Sequence, residues 1–288
     1  MFRFFQILIC GPFFYITHSW ILSLSLLIII LLLTVITQVG GIILWLSLPV
    51  MDRIRIHQNF FRWSAKTLAV LSIYLLSIAV FIPLLASIGG RVPLPWFASS
   101  TVPLKPASLG YCLLARNYVR PELRRALEQI AQNLSTQHPD STLLYLDANF
   151  PFINGFPLLP HLSHKDGKKV DLAFFYRSAK TKEPLIMTAS PIGYFAYEQP
   201  KPFETKPCKG KKSWRRWDLD WLQPLFSFAE MDTVRTQVLL KELIKNSAIQ
   251  KIFIEEHLKY RLNANATKVR FQGCGAARHD DHIHIQIQ

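Results

Sequence analysis

The chain ends with RHDDHIHIQIQ (278–288), in which isoleucine alternates with histidine or glutamine from His282 onward. Successive side chains of a β-strand point to opposite faces of its sheet. A strand over 282–288 would therefore place three isoleucines on one face and His282, His284 and Gln286 on the other. We expect the isoleucines to enter a hydrophobic core and the two imidazoles to lie side by side on the opposite face.

The residues before this strand contain further helix and strand patterns. Apolar residues at helical spacing predict helices over 121–135 and 232–246, the second with Asp232 as its N-cap. Short β-prone runs predict strands over 142–146, 169–176 and 252–254. Helices and strands do not alternate regularly here. This favours an α+β domain over 110–288, with a small, mostly antiparallel sheet and flanking helices.

The front of the chain is apolar. No Asp, Glu, Lys or Arg occurs from Phe4 to Met51, a run of 48 residues, whereas one spanning helix needs about 20. We expect two transmembrane helices, at about 21–46 and 67–88, and an interfacial or re-entrant segment in residues 1–20. Residues 1–91 would then form a membrane anchor. A wholly soluble protein, a disordered chain and a pure multi-span transporter are excluded.

The loop between the two expected spans, DRIRIHQNFFRWSAK (52–66), carries four basic residues and one acidic residue. Basic loops stay in the cytoplasm. The N-terminus and the C-terminal domain are therefore both expected on the periplasmic or extracellular side of the cytoplasmic membrane. If the long first run crosses twice, the N-terminus moves inside and the domain stays outside. Four prolines in VPLPWFASSTVPLKP (92–106) predict a stiff spacer over 92–109 between membrane and domain.

The chain is basic, with 33 Lys and Arg against 19 Asp and Glu and a net charge of +14. Part of this excess lies in a segment rich in Pro, Lys and Arg over 180–216. That segment is either a solvated surface loop or a patch that meets an anionic polymer or the lipid surface. A nucleic-acid partner is not expected for a domain outside the cytoplasm.

Four cysteines occur, Cys10 in the apolar run and Cys112, Cys208 and Cys274 in the domain. No CxxC pair is present, so zinc-finger interpretations fail. In an oxidising compartment one disulfide can form among the three domain cysteines, and all three pairings stay open.

Five of the nine histidines lie in two short segments, HLSHKDGKKVD (161–171) and RHDDHIHIQIQ (278–288). Asp171 lies within an apolar strand, where a carboxylate is costly to bury unless it is paired or bound to a metal. Two imidazoles and one carboxylate form a catalytic type of zinc site, with the fourth position open for water. A single His-x-His pair on a strand is more often structural. The joint occurrence of two His-rich segments is what favours a metal site.

The two segments also resemble motifs of a known family. SHKDGKKVD (163–171) resembles the Ser-His-x-x-Gly-x-x-x-Asp motif of penicillin-insensitive murein endopeptidases, and HDDHIHIQI (279–287) resembles their His-Asp-Asp-His-x-His motif. Their wider group of zinc peptidases includes lysostaphin, D-Ala-D-Ala peptidases and the hedgehog signalling domain. Residues 238–262 are similar to the helix and strand before the family's last motif. The resemblance covers about 110–288.

Carried over by position, the resemblance implies a Zn²⁺ site whose ligands are His164, Asp171 and His284. It implies His161 as a further metal-site histidine. Zinc in such a site acidifies water and polarises the scissile carbonyl.

The resemblance also implies two catalytic histidines. His282 becomes the general base, which takes a proton from water and passes it to the leaving amine. His279 becomes a second active-site histidine that helps hold the oxyanion or the base. Asp280 and Asp281 are either acceptors that orient these histidines or solvent-exposed acids.

The function implied is that of a membrane-anchored zinc metallopeptidase, a hydrolase that cleaves peptide cross-links of peptidoglycan outside the cytoplasmic membrane. One alternative is a D,D- or L,D-carboxypeptidase or dipeptidase on short wall peptides. Another is a non-catalytic zinc-containing domain that binds the wall or a partner protein. The complete set of ligand and base residues argues against the last alternative.

Overall fold

The computed structural model describes residues 20–211 and 213–288. Its N-terminal part consists of α1 (Trp20–Thr37), α2 (Gly40–Arg53), α3 (Asn59–Leu76) and α4 (Ile82–Ala86), with a π-helical turn, Ser77–Phe81, between the last two. Within the described residues, one helix is long and apolar enough to cross a membrane, the 31-residue run Asn59–Gly89. This run contains the second expected span. The segment expected at 1–20 lies outside the described residues, apart from the first residue of α1.

The first expected span, 21–46, is not one helix. The chain leaves the helical path at Gln38, whose φ of 66° lies in the left-handed region, and α2 folds back against α1. A Cβ on Gly41 would meet the Ile30 carbonyl oxygen and the Thr34 hydroxyl. Small residues let helix backbones approach this closely. The expectation of two long spans is thus wrong here, because this half of the apolar run forms a helical hairpin.

The C-terminal domain contains short strands in three sheets. The strands are β1 (Val92–Pro93), β2 (Leu104–Pro106), β3 (Tyr118–Val119), β4 (Leu143–Tyr145), β5 (Lys169–Ala173), β6 (Tyr176–Ser178), β7 (Pro184–Leu185), β8 (Ala229–Met231), β9 (Ile249–Phe253), β10 (Val269–Arg270) and β11 (His282–Ile287). The largest sheet has the order β10-β9-β11-β5-β4-β2. Its three inner pairs are antiparallel and its two outer pairs are parallel. The predicted α+β class is confirmed.

The domain also contains helices. They are α5 (Gly110–Leu113), α6 (Pro121–Gln137), α7 (Thr233–Lys245) and α8 (Glu256–Arg261). The two long helices, α6 and α7, pack against each other and begin and end within two residues of their predicted bounds. Asp232 caps α7 by accepting a hydrogen bond from the Arg235 N–H at 3.1 Å. Ile283, Ile285 and Ile287 of β11 are buried in the core beneath these helices, as the alternation predicts. The opposite face of β11 therefore carries its histidines.

Part of the expected spacer is built into the domain. β1 pairs with β3, and β2 pairs with β4 at the edge of the large sheet. Leu94 and Leu104 are buried in the domain core. Pro93 and Pro106 lie at the ends of edge strands, where a missing N–H is tolerated. Residues 92–106 consequently differ from the free-standing spacer that their prolines predict, because their leucines contribute to the core.

The helices and the domain are in direct contact. The Gln38 side-chain oxygen accepts hydrogen bonds from the backbone N–H groups of Phe152 and Ile153, at 2.8 and 3.3 Å. Arg91 is fully buried and donates to the Phe150 carbonyl and to Asn154 Oδ1. These bonds join the turn of the helical hairpin and the end of the long helix to one loop of the domain.

One disulfide is present among the described residues, between Cys208 and Cys274, with a Cα–Cα distance of 5.4 Å. Cys112 is a buried free thiol. Of the three pairings that the sequence leaves open, the structure has the one that ties the basic segment to the residues just before the HDDHIH motif.

Candidate metal centre

The centre is assembled by the register of two strands. β11 pairs antiparallel with β5 so that His284 lies opposite Asp171. His164 comes from the loop before β5, and all three side chains are buried. The sheet face away from the helices therefore brings the three predicted ligands to one place.

The spacing of the ligand atoms fits a tetrahedral ion. His164 Nε2 is 3.1 Å from His284 Nδ1 and 3.2 Å from Asp171 Oδ1, and His284 Nδ1 is 2.8 Å from Asp171 Oδ1. Zinc bonds of 2.0–2.1 Å in a tetrahedron separate neighbouring ligand atoms by about 3.3 Å. The three donor atoms thus have nearly the spacing that one zinc ion requires.

Surrounding hydrogen bonds orient two of these ligands. His164 Nδ1 lies 2.7 Å from the Ala148 carbonyl oxygen, which fixes Nδ1 as the donor and leaves the Nε2 lone pair for a metal. The Tyr194 hydroxyl donates to Asp171 Oδ2 at 2.7 Å. This bond holds the second carboxylate oxygen while the first faces the imidazoles.

The pKa values of the ligands suit metal binding. Burial raises the pKa of Asp171, but the neighbouring imidazoles of His164 and His282 outweigh it and hold the pKa well below its usual value. Burial lowers the pKa of His284 to about 4 against the opposing effect of Asp171. A carboxylate and a neutral imidazole, the forms that bind a metal, are therefore present at neutral pH.

His161 lies on the other side of the carboxylate. Its Nδ1 is 3.2 Å from Asp171 Oδ2 and 3.1 Å from Asp147 Oδ2. His161, His164 and Asp171 offer ligand atoms within 4.8 Å of one another, so this group could hold a metal ion. Arg116 forms an ion pair with Asp147 at 2.7 Å, which balances the charge of that second buried acid.

His282 is oriented by the residue before it. Its Nδ1 lies 2.5 Å from Asp281 Oδ1, and its Nε2 is 3.7 Å from Asp171 Oδ2. Burial lowers the pKa of His282, but the carboxylates of Asp171 and Asp281 outweigh burial and raise it to about 9. The ring therefore keeps Nδ1 on Asp281 and directs Nε2 towards the carboxylate of Asp171.

His279 lies beside these rings. Its ring centroid is 4.9 Å from that of His282 and 5.8 Å from that of His284. Burial, together with these two neighbouring histidines, lowers the pKa of His279 far enough that it is neutral at pH 7. Its backbone exchanges hydrogen bonds with Glu255, which Arg216 of the basic segment holds through two 3.0 Å bonds.

The two acids of the HDDHIH motif have different partners. Asp281 accepts from His282 and from the Phe195 N–H at 2.6 Å. Asp280 pairs instead with Arg278, at 3.0 and 2.6 Å, and burial raises its pKa to about 6. One of the two acids therefore orients a histidine, and neither is exposed to solvent.

Sequence reasoning missed three residues of this centre: Tyr194, Asp147 and Arg116. Tyr194 comes from the loop over 180–216, where no local pattern marks it. Asp147 does leave a signal, because it follows directly after the apolar run 142–146. An acid at the end of a buried strand is often held there by a partner.

Compared with models of known protein families and with curated proteins, the chain matches none of them. The family resemblance is therefore carried by the two motifs, one around His164 and Asp171 and one from His279 to His284, which the fold brings together at one buried centre.

Proposed function

We propose that this protein is a membrane-anchored zinc metallopeptidase that hydrolyses peptide cross-links of peptidoglycan. The observation that carries the proposal is the near-tetrahedral spacing of His164 Nε2, Asp171 Oδ1 and His284 Nδ1, 2.8–3.2 Å apart. Motif likeness alone would not require donor atoms from two segments 113 residues apart to lie within about 0.5 Å of the edge length of a zinc tetrahedron.

His164, Asp171 and His284 would hold the ion, and His161 could add a fourth protein donor or turn towards substrate. Bound zinc supplies Lewis acidity, which polarises a carbonyl and acidifies water. Asp147 and Tyr194 bind His161 and Asp171, and so keep both donors in place before a metal arrives.

His282 is the residue best suited to move a proton. With Nδ1–H held by Asp281, Nε2 can accept a proton from water and return it to the leaving amine. A cation bound to Asp171 would offset that carboxylate, which otherwise raises the pKa of His282. The pKa of His282 would then move down towards neutrality, where a general base works best.

His279 would stabilise the charge that develops on the carbonyl oxygen. It is neutral and lies beside His282. A neutral imidazole in a buried site can donate one N–H to an oxyanion, and no charge on the imidazole has to be removed from water.

The location of the domain supports a substrate outside the cytoplasm. The Cys208–Cys274 disulfide is typical of an oxidising compartment. The basic residues over 52–66, at the start of the long helix Asn59–Gly89, would stay in the cytoplasm. The domain follows the other end of that helix and would then lie outside the cytoplasm. The cell wall polymer lies on that side of the membrane.

The test uses the full chain in detergent, because residues 92–106 and the helices pack against the domain. Cross-linked muropeptide dimers are incubated with the protein, with and without a zinc chelator, and the products are identified by mass spectrometry. We expect chelator-sensitive conversion of dimers to monomers. His282→Gln should abolish conversion with zinc still bound, whereas His138→Gln, at the residue that follows α6, should not.

Other outcomes discriminate between functions. Release of free D-alanine without conversion of dimers would indicate a carboxypeptidase and not an endopeptidase. If zinc-loaded protein forms no product, the non-catalytic wall-binding function is the alternative that remains. If the His282→Gln protein converts dimers as well as the wild type does, the assignment of His282 as the general base is refuted.

A further inference from the structure

A groove lies between the basic segment and the residues just before the HDDHIH motif. It has a volume of about 930 Å³ and is lined by Pro207, Lys211, Ser213, Trp214, Phe271, Gly273, Cys274 and Gly275. We call it the tryptophan groove. The Cys208–Cys274 disulfide joins its two walls, so its shape does not depend on weak loop contacts alone.

Two short stretches of chain connect the tryptophan groove to residues of the candidate metal centre. On one side, Gly275 precedes His279 by four residues, and its carbonyl accepts from Ser213 Oγ at 3.3 Å. On the other side, the Trp217 ring stacks on Phe195 at 6.3 Å with an interplanar angle of 11°. Phe195 follows Tyr194, whose hydroxyl binds Asp171. The groove is therefore linked to the candidate metal centre along the chain, through Gly275 to His279, and through the contact of Trp217 with Phe195.

The basic segment around the groove is positively charged, and one of its cations, Lys211, lines the groove. Lys206, Lys209, Lys211 and Arg215 are exposed, and none of the four forms an ion pair with an acid in the described part of the chain. Two nearby acids are paired with other cations, Glu204 with Arg261 and Asp218 with Arg278. Because the local positive charge is not neutralised within the protein, the groove attracts an anionic partner.

Trp214 offers a flat surface to that partner. Its side chain is 73% exposed, and the Arg215 guanidinium lies over its ring at 5.0 Å. Trp combines a large apolar face with a polar N–H and is enriched at binding interfaces. An aromatic ring next to a cation, as at Trp214 and Arg215, suits a polymer that carries both flat rings and negatively charged groups.

We propose that the tryptophan groove binds a peptidoglycan strand, with sugar rings against Trp214 and stem-peptide carboxylates against Lys211 and Arg215. The choice of this polymer rests on the proposed function. Single-stranded nucleic acid would satisfy the same pattern of cations and aromatic rings. The disulfide favours a wall polymer, because it indicates a compartment where nucleic acid is not the ordinary partner.

The test measures binding without turnover. Full-length His282→Gln protein in detergent is co-sedimented with purified peptidoglycan sacculi, and the bound fraction is measured against sacculus concentration. Trp214→Ala and Lys211→Glu are added separately to this background. The matched controls are Trp221→Ala, a tryptophan with the same 73% exposure that does not line the groove, and Lys241→Glu on the exposed side of α7.

We expect Trp214→Ala and Lys211→Glu each to weaken binding by about fivefold or more, and the two controls to change it by less than about twofold. Sacculi whose carboxylates have been amidated should bind less, and added salt should weaken binding to native sacculi. Equal losses for Trp214→Ala and Trp221→Ala would overturn the proposal. So would tighter binding to single-stranded DNA or to anionic lipid vesicles at the same salt concentration.

This result is separable from the catalytic proposal. If the wild-type protein cuts no muropeptide dimer but the Trp214-dependent binding is found, the groove assignment holds and the peptidase assignment fails. If dimers are cut but binding does not depend on Trp214 or Lys211, the groove assignment fails alone.

Discussion

Asp171 lies opposite His284 across strands β5 and β11, with Asp171 Oδ1 2.8 Å from His284 Nδ1. The two residues are 113 positions apart in sequence. Their pairing explains why an acid is tolerated inside an apolar strand, since a buried carboxylate requires a partner. It also places an anionic and a neutral donor at the distance that a single small cation bridges.

Replacing Asp171 by Asn should remove the anionic ligand at nearly constant volume. We expect zinc affinity to fall by more than about 100-fold, since losing a ligand should exceed the 10–100-fold cost typical of losing its hydrogen-bond partner. Zinc content after dialysis, measured by mass spectrometry, checks this. Asp140→Asn, on an exposed turn, is the matched control. Retention of one zinc per chain by the Asp171→Asn protein would show that this carboxylate is not a ligand.

The Tyr194→Phe substitution should show how much zinc affinity depends on the hydrogen bond that orients the Asp171 carboxylate. The change deletes the hydroxyl that donates to Asp171 Oδ2 at 2.7 Å and keeps the ring. We expect zinc affinity to fall by about 10–100-fold with the fold retained. Tyr260→Phe, at a 60% exposed tyrosine, should have no effect on zinc affinity. Unchanged affinity in the Tyr194→Phe protein would mean that Asp171 needs no support from this loop.

His282 should make the stability of the metal-free protein depend on pH. Its pKa is raised from 6.5 to about 9 in the folded protein. The stabilisation is therefore fully present below pH 6.5 and is lost as the pH rises through about 9. Thermal unfolding of metal-free wild-type and His282→Gln proteins measures it. The difference in Tm should be large at pH 6 and small at pH 10, and a difference that grows with pH would contradict the assignment.

Opening the disulfide should loosen the basic segment. Cys208 and Cys274 are 66 residues apart, and closing a loop of that length stabilises by on the order of 4 kcal/mol in the chain-entropy model. Cys208→Ser, Cys274→Ser and the double variant should lose similar amounts, because each opens the same bond. Tm and limited proteolysis near residues 200–216 are the measurements. A double variant much less stable than either single variant would show that the two sulfurs act independently.

Local patterns predict much of this fold. The isoleucine alternation of β11 gives its buried face, and the capping residue and apolar stripe of α7 give its bounds within one residue. The buried face of β11 and the bounds of α7 both depend on residues close together in sequence, and the spacing of apolar residues reports such local relationships. The ligand residues follow from motif likeness, and the register of β5 and β11 then brings them to one face.

Long-range packing is what local patterns miss. The hairpin turns at Gln38 and packs Gly41 against Ile30 of the preceding helix, a contact that the hydrophobicity of the apolar run does not describe. Likewise, Leu94 and Leu104 enter the core only because β4 and β3 are there to receive their strands. Tyr194 reaches Asp171 from an irregular loop whose path no periodicity describes.

The central claim is that one metal ion binds His164, Asp171 and His284. Anomalous diffraction at the zinc absorption edge, from crystals of zinc-loaded protein, tests it most directly. We predict a single strong peak at about 2.0–2.2 Å from His164 Nε2, Asp171 Oδ1 and His284 Nδ1, absent in crystals of the Asp171→Asn protein. A peak bound elsewhere, or zinc-saturated protein with no peak between these three atoms, would contradict the claim.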